Sequence, residues 1–270
     1  MKIIIDNGGT KLDWGIFGDS TFQSFNNLNL LQTETSVIKD LHCIFPREIL
    51  FKKNIEIDFY TAGFNQAVKL KITKVLFNYF NKPTVNVFSD ILAASRALYK
   101  KDKGIVCILG TGSNCAFFDG NKNHFYSSSL GHLLGDEGSG YDLGKKLLKA
   151  YFRNDLPETL KTKFDIEINM NQDQFLHSIY SVANKKYYIA SFAKFLKKHD
   201  YHPYIKEIIR KSITNYFIKH PFLIENYHTF KFGFVGSVAF YFREYIDDIL
   251  RLNKIEYKII DKPIKKLLCN

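Results

Sequence analysis

The chain has 270 residues, 46% hydrophobic and 24% charged, the balance of an ordinary globular protein long enough for one large core or two smaller ones. No stretch approaches the roughly 18 to 20 uninterrupted apolar residues of a membrane helix, and MKIIIDNGG lacks the long apolar core and cleavage site of a secretory signal. A cytoplasmic location with no membrane partner is expected. The net charge of +11 favours anionic ligands, but the basic residues are dispersed over predicted helix faces, as at Lys194, Lys197, Lys198, Lys206, Arg210 and Lys211. No nucleic-acid-binding motif accompanies them, which argues against a nucleic-acid partner. Cys43, Cys107, Cys115 and Cys269 show neither CxxC spacing nor the density of a disulfide scaffold, so reduced thiols without a zinc or iron–sulfur role are expected.

In chain order, apolar runs at 2–6 and 13–17 predict a hairpin with DNGGTK (6–11) at its tip. A third strand at 21–25, a helix near 36–44, a strand at 55–60, a helix over 65–80 and a strand at 84–88 follow, the last leading Asp90 into another helix. That order predicts a mixed sheet covered by helices. After the polar break KKDKG (100–104) the opening pattern restarts as GIVCILG, a glycine turn and SNCAFFDG, which suggests an internal duplication. Residues 145–232 contain no glycine, and apolar residues recur at helical spacing, as in Ile205, Ile208, Ile209, Ile213 and Phe217. This helical stretch carries an aromatic stripe, Tyr187, Tyr188, Phe192 and Phe195, read as core. A strand at 230–237 and a helix over 238–252 follow. Two domains are expected, 1–102 and 103–270.

The two glycine turns, DNGGTK and LGTGSN (109–114), each follow a strand. Glycine lets a phosphate approach the backbone, and successive N–H groups form an anion-binding concavity, so two such turns read as a phosphate clamp. In the first turn Asp6 is placed to hold magnesium directly or through water, and Thr10 and Lys11 offer a hydroxyl and a cation. In the second, Gly110, Thr111, Gly112 and Ser113 offer N–H groups and hydroxyls, and Asn114 an amide. Asp90 stands at the carboxyl end of a strand, where open α/β sheets place ligands and where a carboxylate can accept a proton from an attacking hydroxyl; its other reading is a helix-dipole partner after the N-cap Ser89. The adjacent acids of GDEGSG (135–140) suit vicinal sugar hydroxyls, with Ser139 also a helix cap. His132 is read either as orienting an acceptor or as packed. The combination points to a phosphotransferase.

DNGGTK, FSDILAA, ILGTGSNC, LGHLLGDEGSGYDLG and FVGSVA, in this order, resemble the N-acetylglucosamine kinase branch of the sugar kinase, heat-shock protein and actin superfamily, in the group shared with BadF and BadG type ATPases. The resemblance spans almost the whole chain. It implies an α/β fold of two ribonuclease H-like domains that close over MgATP and a sugar in the cleft between them, with the helical insert in the second domain and the last segment able to pack back on the first. It also implies Asp90 as the base on the sugar 6-hydroxyl, phosphate loops at Gly8, Gly9, Thr10 and at Gly110, Thr111, Gly112, magnesium near Asp6, the sugar at Asn114, Asp136 and Glu137, and the adenosine near Gly236 and Ser237. N-acetylglucosamine is the expected acceptor; glucosamine, N-acetylmuramic acid and a non-catalytic nucleotide- or sugar-binding regulator are the alternatives. A dehydratase-activator role would need a cysteine-held cluster that this sequence lacks. A homodimer is left open. Asn7 stands where relatives often carry a small residue, and KPIKKLL (262–268) lacks the glycine-containing ending associated with bacterial relatives.

Overall fold

The computed structural model describes residues 1–269. Contacts divide the chain into two compact units: Met1–Lys103 with Phe118–Asn123 and the last segment from Lys262, and Gly104–Phe117 with His124–Asp261.

In the first unit β1 (Lys2–Asn7), β2 (Lys11–Ile16), β3 (Gln23–Asn26), β4 (Glu56–Thr61) and β5 (Thr84–Ser89) form a sheet of order β3-β2-β1-β4-β5. The β1, β2 and β3 pairs are antiparallel, whereas β1, β4 and β5 run parallel. This is the expected mixed sheet. The side-chain period of two in β1 sends Ile3 and Ile5 into a core with α1 (Glu34–Ile44) and α3 (Gln66–Tyr79), where Val37, Leu41, Ile72 and Leu76 meet them. Trp14, Phe45 and Phe80 extend this core, with ring centroids 4.7 and 5.0 Å apart. Thr33 and Asn65 cap the two helices by accepting the Ser36 and Val68 N–H groups. A further short helix, α2 (Arg47–Leu50), joins α1 to β4.

Ile4, Asp6 and Asp58 lie on the opposite face of the sheet, which is covered by α4 (Asp90–Tyr99) and by the last helix, Ile264–Leu267. Close approach there depends on Gly15, because a Cβ at this position would stand 2.7 Å from Leu268 Cδ1 and 2.8 Å from the Thr21 carbonyl. Lys262 begins this segment and pairs with Asp13 at 2.9 Å.

A second sheet, most of it in the second unit, repeats the connectivity. β6 (Gly104–Leu109), β7 (Ser113–Phe118), β8 (Asn123–His124), β9 (Phe232–Val235) and β10 (Tyr257–Ile260) form a sheet of order β10-β9-β6-β7-β8, with β9 parallel to both β6 and β10. Its order is that of the first sheet, strand for strand. Between β8 and β9 come α5 (Gly131–Leu134), α6 (Gly140–Phe152), α7 (Glu158–Ile168), α8 (Gln172–Ser181), α9 (Lys185–Ser191), α10 (Ala193–Lys198) and α11 (Pro203–Lys219). Ile205, Ile209, Ile213 and Phe217 of α11 join Phe164, Phe175 and Phe195 in the core.

Some elements differ from expectation. The helix over 238–252 is two, α12 (Ser237–Tyr241) and α13 (Arg243–Leu252), separated at Phe242. Of the aromatic stripe, Phe195 is fully buried and Tyr188 and Phe192 pack against the core, but Tyr187 is 43% exposed. β10 was not anticipated: it is four residues long, half-buried and at an edge, so it carries no continuous apolar run. The cysteines are unpaired, with Cys107 and Cys115 buried and their sulfurs 4.0 Å apart.

Gly15→Ala is expected to destabilise the first unit by about 1–3 kcal/mol through overpacking against Thr21 and Leu268. Denaturant unfolding checks this, and an unchanged midpoint would mean that the last helix does not pack closely on β2.

Candidate active site

Parallel pairing of β1, β4 and β5 gathers their carboxyl ends at one edge of the first sheet, so Asp6 and Asp90 are delivered there by different strands. Asp6 faces Asp13 across the β1–β2 ladder, and Lys262 holds Asp13 and Ser24. Burial, followed by the charges of Asp90 and Asp13, raises the Asp6 carboxyl to about 7 against the opposing pull of Lys262. Asp90 opens α4, and its Oδ1 accepts the Ile91 N–H at 2.8 Å. Ser89 occupies the N-cap position without making a side-chain capping bond.

The first glycine turn is held from behind by Asn7, which is 3% exposed. Its amide donates to the Leu28 carbonyl at 3.2 Å, its Oδ1 accepts the Leu28 N–H at 2.8 Å, and its backbone carbonyl accepts Ala62 N–H at 3.0 Å. A small residue could not make the two side-chain bonds, so Asn7 has a structural role at this turn. Gly8 has ordinary negative-φ backbone, and a Cβ there would meet only the Lys11 carbonyl at 3.5 Å. The fold does not require that glycine; a ligand approaching the turn would. Gly9 and Lys11 are exposed.

In the second unit the carbonyls of Gly110 and Thr111 accept the Gly140 and Tyr141 N–H groups at the start of α6. Gly110 N–H bonds Gly112, and Ser113 N–H bonds Asp136 Oδ1 at 3.1 Å, so two of the expected phosphate donors are engaged within the unit. Asp136 is buried in left-handed backbone, and Lys186 of α9 reaches its Oδ2 at 2.8 Å. A Cβ on Gly112 would collide with both. Gly236, at φ +116°, packs on Leu109 and Gly110 where a Cβ would lie 2.4 Å from the Leu109 carbonyl, so this turn and Ser237 adjoin the second loop. Glu137 faces His220 at 3.2 Å. Asn114 bonds through its side chain to the Cys115 N–H, while its carbonyl accepts the Tyr216 hydroxyl. Ser139 caps α6 by accepting the Asp142 N–H. His132 packs edge-on against Tyr141, its pKa pushed below the usual value by burial and then by Lys186.

No protein-family model matches the chain. A segment of 68 residues is 40% identical to the N-acetylmuramic acid/N-acetylglucosamine kinase of Clostridium acetobutylicum; it makes up 25% of this chain and spans only 22% of that protein. The structure of a candidate N-acetylglucosamine kinase from Porphyromonas gingivalis superposes with a TM-score of 0.89 at 27% identity, covering 99% of this chain and 97% of that one. The chain has the fold of that kinase. A second candidate N-acetylglucosamine kinase, from Chromobacterium violaceum (TM-score 0.73, 14% identity, 99% and 97% covered), shares the fold. The ethanolamine utilization protein EutJ of Carboxydothermus hydrogenoformans does so more distantly (TM-score 0.51, 14% identity, 99% and 86% covered). The fold is the actin-like ATPase fold of two ribonuclease H-like domains, and the two sheets share one strand order.

The carboxylates gathered in the first unit suit a magnesium ion. Among the described residues no group of three or more His, Cys, Asp or Glu side chains forms a metal cage, whereas magnesium is commonly held by one or two carboxylates together with phosphates and water. A carboxyl raised to about 7 beside another carboxylate is a group that a cation would return to its ionised form. Asn7, Lys186 and His220 were not singled out from sequence as site residues. Their partners lie 21, 50 and 83 residues away, and no local pattern marks such pairs. Among the described residues no helix is long and apolar enough to cross a membrane.

Two measurements test the first unit. Asn7→Ala leaves the buried Leu28 peptide groups without partners and should cost about 2–4 kcal/mol in denaturant unfolding, and Asn7→Asp, which sets a buried carboxylate against the Leu28 carbonyl, should not recover that loss. For Asp6, the folded pKa lies above the unfolded value, so the folded state retains a proton that the unfolded chain releases between about pH 4 and 7, and stability falls as pH rises through that window. In metal-free protein Asp6→Asn should therefore stabilise by about 1–4 kcal/mol at pH 8 and by almost nothing at pH 4. A pH-independent difference in melting temperature would refute the raised carboxyl.

Proposed function

We propose that the protein is an ATP-dependent kinase that transfers the γ-phosphoryl group of MgATP to the 6-hydroxyl of an N-acetylated amino sugar, N-acetylglucosamine first, within the branch shared with the BadF and BadG type ATPases. The observation that carries this reading is Asp90, presented at the carboxyl end of β5 beside Asp6, in a chain that follows the P. gingivalis protein over 99% of its length. MgATP supplies the phosphoryl group and the cation's charge. Phosphoryl transfer is mostly positioning and charge stabilisation, so the protein's part is to orient a hydroxyl and to accept its proton.

Asp90 is the base. It is the first residue of a helix whose Ile91, Ala94 and Leu98 are buried, which fixes where its carboxylate stands. Asp6 is the magnesium ligand, and Gly8, Gly9, Thr10 and Lys11 form the first phosphate turn. Gly110, Thr111, Gly112 and Ser113 form the second, braced from behind by the Lys186–Asp136 pair. Gly236 and Ser237 adjoin that loop and suit the adenosine side. Asn114, Asp136 and Glu137 belong to the acceptor. Asp136 meets this role with a buried carboxylate already held by Ser113 and Lys186, so its contribution to the sugar includes fixing the second loop. The C. acetobutylicum relative's name covers both N-acetylmuramic acid and N-acetylglucosamine, which supports N-acetylmuramic acid as the second acceptor to try.

The test is sugar-dependent ADP release with MgATP over N-acetylglucosamine, N-acetylmuramic acid, glucosamine, N-acetylmannosamine and glucose. Turnover is expected with an acetylated amino sugar, and its absence with all five would defeat the kinase reading. Asp90→Asn should lower kcat by about 10² to 10⁴ fold and leave the sugar dissociation constant within about threefold. Equal loss of binding and turnover would make Asp90 structural instead of catalytic.

A further inference from the structure

We propose that His220 is a positioning residue for the acceptor sugar, acting through Glu137. The inference rests on the reading of Glu137 as an acceptor-site residue. His220 ends α11, and its Nε2 stands 3.2 Å from Glu137 Oε2 while its Nδ1 stands 2.7 Å from Ser127 Oγ. The His220 side chain is only 11% exposed and its ring lies 5.2 Å from that of Tyr216, so it is held on both edges and on one face. With the imidazole neutral, the Ser127 hydroxyl donates to Nδ1 and the Nε2 N–H donates to the carboxylate. That arrangement fixes the direction of one Glu137 oxygen.

The contact is one of a row. Ser212 and Tyr216 on α11 and His220 at its C-cap are spaced four residues apart and therefore continue one line along the helix. Ser212 Oγ donates to Asp142 Oδ2 at 2.5 Å, and that same oxygen accepts the Gly138 N–H at 3.2 Å. Tyr216 donates its hydroxyl to the Asn114 carbonyl at 2.9 Å, and a Cβ on Gly138 would lie 2.7 Å from the Tyr216 Cβ. One stripe of the helical insert thus grips the second glycine loop at Asn114, the GDEGSG segment at Gly138 and Glu137, and the start of α6 at Asp142. Two of these grips act on buried backbone or a cap; the His220 grip acts on a side chain that is 25% exposed and available to a ligand. It is the one member of the row whose loss would be read in ligand binding more than in folding.

The experiment compares His220→Phe, which keeps a ring against Tyr216 but no hydrogen bond, with His220→Gln, which keeps an N–H donor, and with Ser127→Ala and Glu137→Gln. Steady-state kinetics on the acetylated sugar that the wild type turns over are paired with calorimetric binding of that sugar without nucleotide. His220→Phe is expected to raise the sugar KM and dissociation constant by about tenfold, with kcat and the KM for ATP within about threefold and the melting temperature nearly unchanged. His220→Gln should recover most of the loss, Ser127→Ala should fall between, and the effects of His220→Phe and Glu137→Gln together should be less than additive. Unchanged sugar KM in His220→Phe, additive effects with Glu137→Gln, or parallel loss of kcat, both KM values and melting temperature would each overturn the positioning role. If the wild type is active but Glu137→Gln leaves the sugar KM unchanged, Glu137 is not at the acceptor and the proposal falls with it. Absence of sugar-dependent turnover in the wild type removes the kinase reading itself.

Discussion

The first unit is organised around gathering carboxylates at one end of a sheet. Asp6, Asp13 and Asp90 approach one another closely enough that burial and like charge raise the Asp6 carboxyl to about 7. Such a cluster opposes folding, and the structure offsets it with a cation drawn from far along the chain: Lys262, which pairs with Asp13 across 249 residues. Holding that lysine requires the last helix to lie on the sheet, which in turn requires Gly15 beneath Leu268. Parallel pairing of β1, β4 and β5 supplies the other half of the arrangement by bringing the strand ends together. The burial and like charge at Asp6 therefore weaken the fold as pH rises, and a cation at that carboxyl would relieve both.

The second unit solves a different problem. A glycine-rich loop has little side-chain packing to hold its shape, and here the shape is imposed from behind. Asp136 takes the Ser113 N–H and the Lys186 cation, the start of α6 takes two loop carbonyls, and Tyr216 takes the Asn114 carbonyl. Lys186 and Tyr216 both belong to the glycine-free helical stretch. That stretch has a core of its own, with Phe164, Phe175, Phe195 and Phe217 buried, and it also serves as the rigid backing of a loop that would otherwise be soft. The repeated strand order shows that both units start from one plan, and this helical stretch is where the second departs from it.

Much of this was legible in the sequence because it depends on local chemistry. β-branched runs such as KIIID and GIVCIL, glycine turns after them, and helical periodicity between 145 and 232 announce strands, loops and helices without reference to distant residues. The repeated strand–turn–strand opening and the position of Asp90 at a strand end were readable for the same reason. β10 was not, because a short half-buried edge strand leaves no periodic signal, and neither was the break at Phe242, because nothing local distinguishes it from the flanking helix. Asn7 stands at a position expected to be small; it is a buried anchor whose role exists only once Leu28 is beside it.

The sequence by itself determined the main strands and helices, apart from β10 and the break at Phe242, where the chain turns on glycine, and which carboxylates stand at strand ends, since each follows from residues within a few positions of one another. Only the tertiary structure decided which of those groups are free to act and which are held: Asp136 engaged by Lys186, Glu137 steered by His220, Asp13 neutralised by Lys262. The physical reason is that charge and hydrogen-bond partners separated by 50 to 249 residues are selected by strand order and helix packing, which no window of the chain contains.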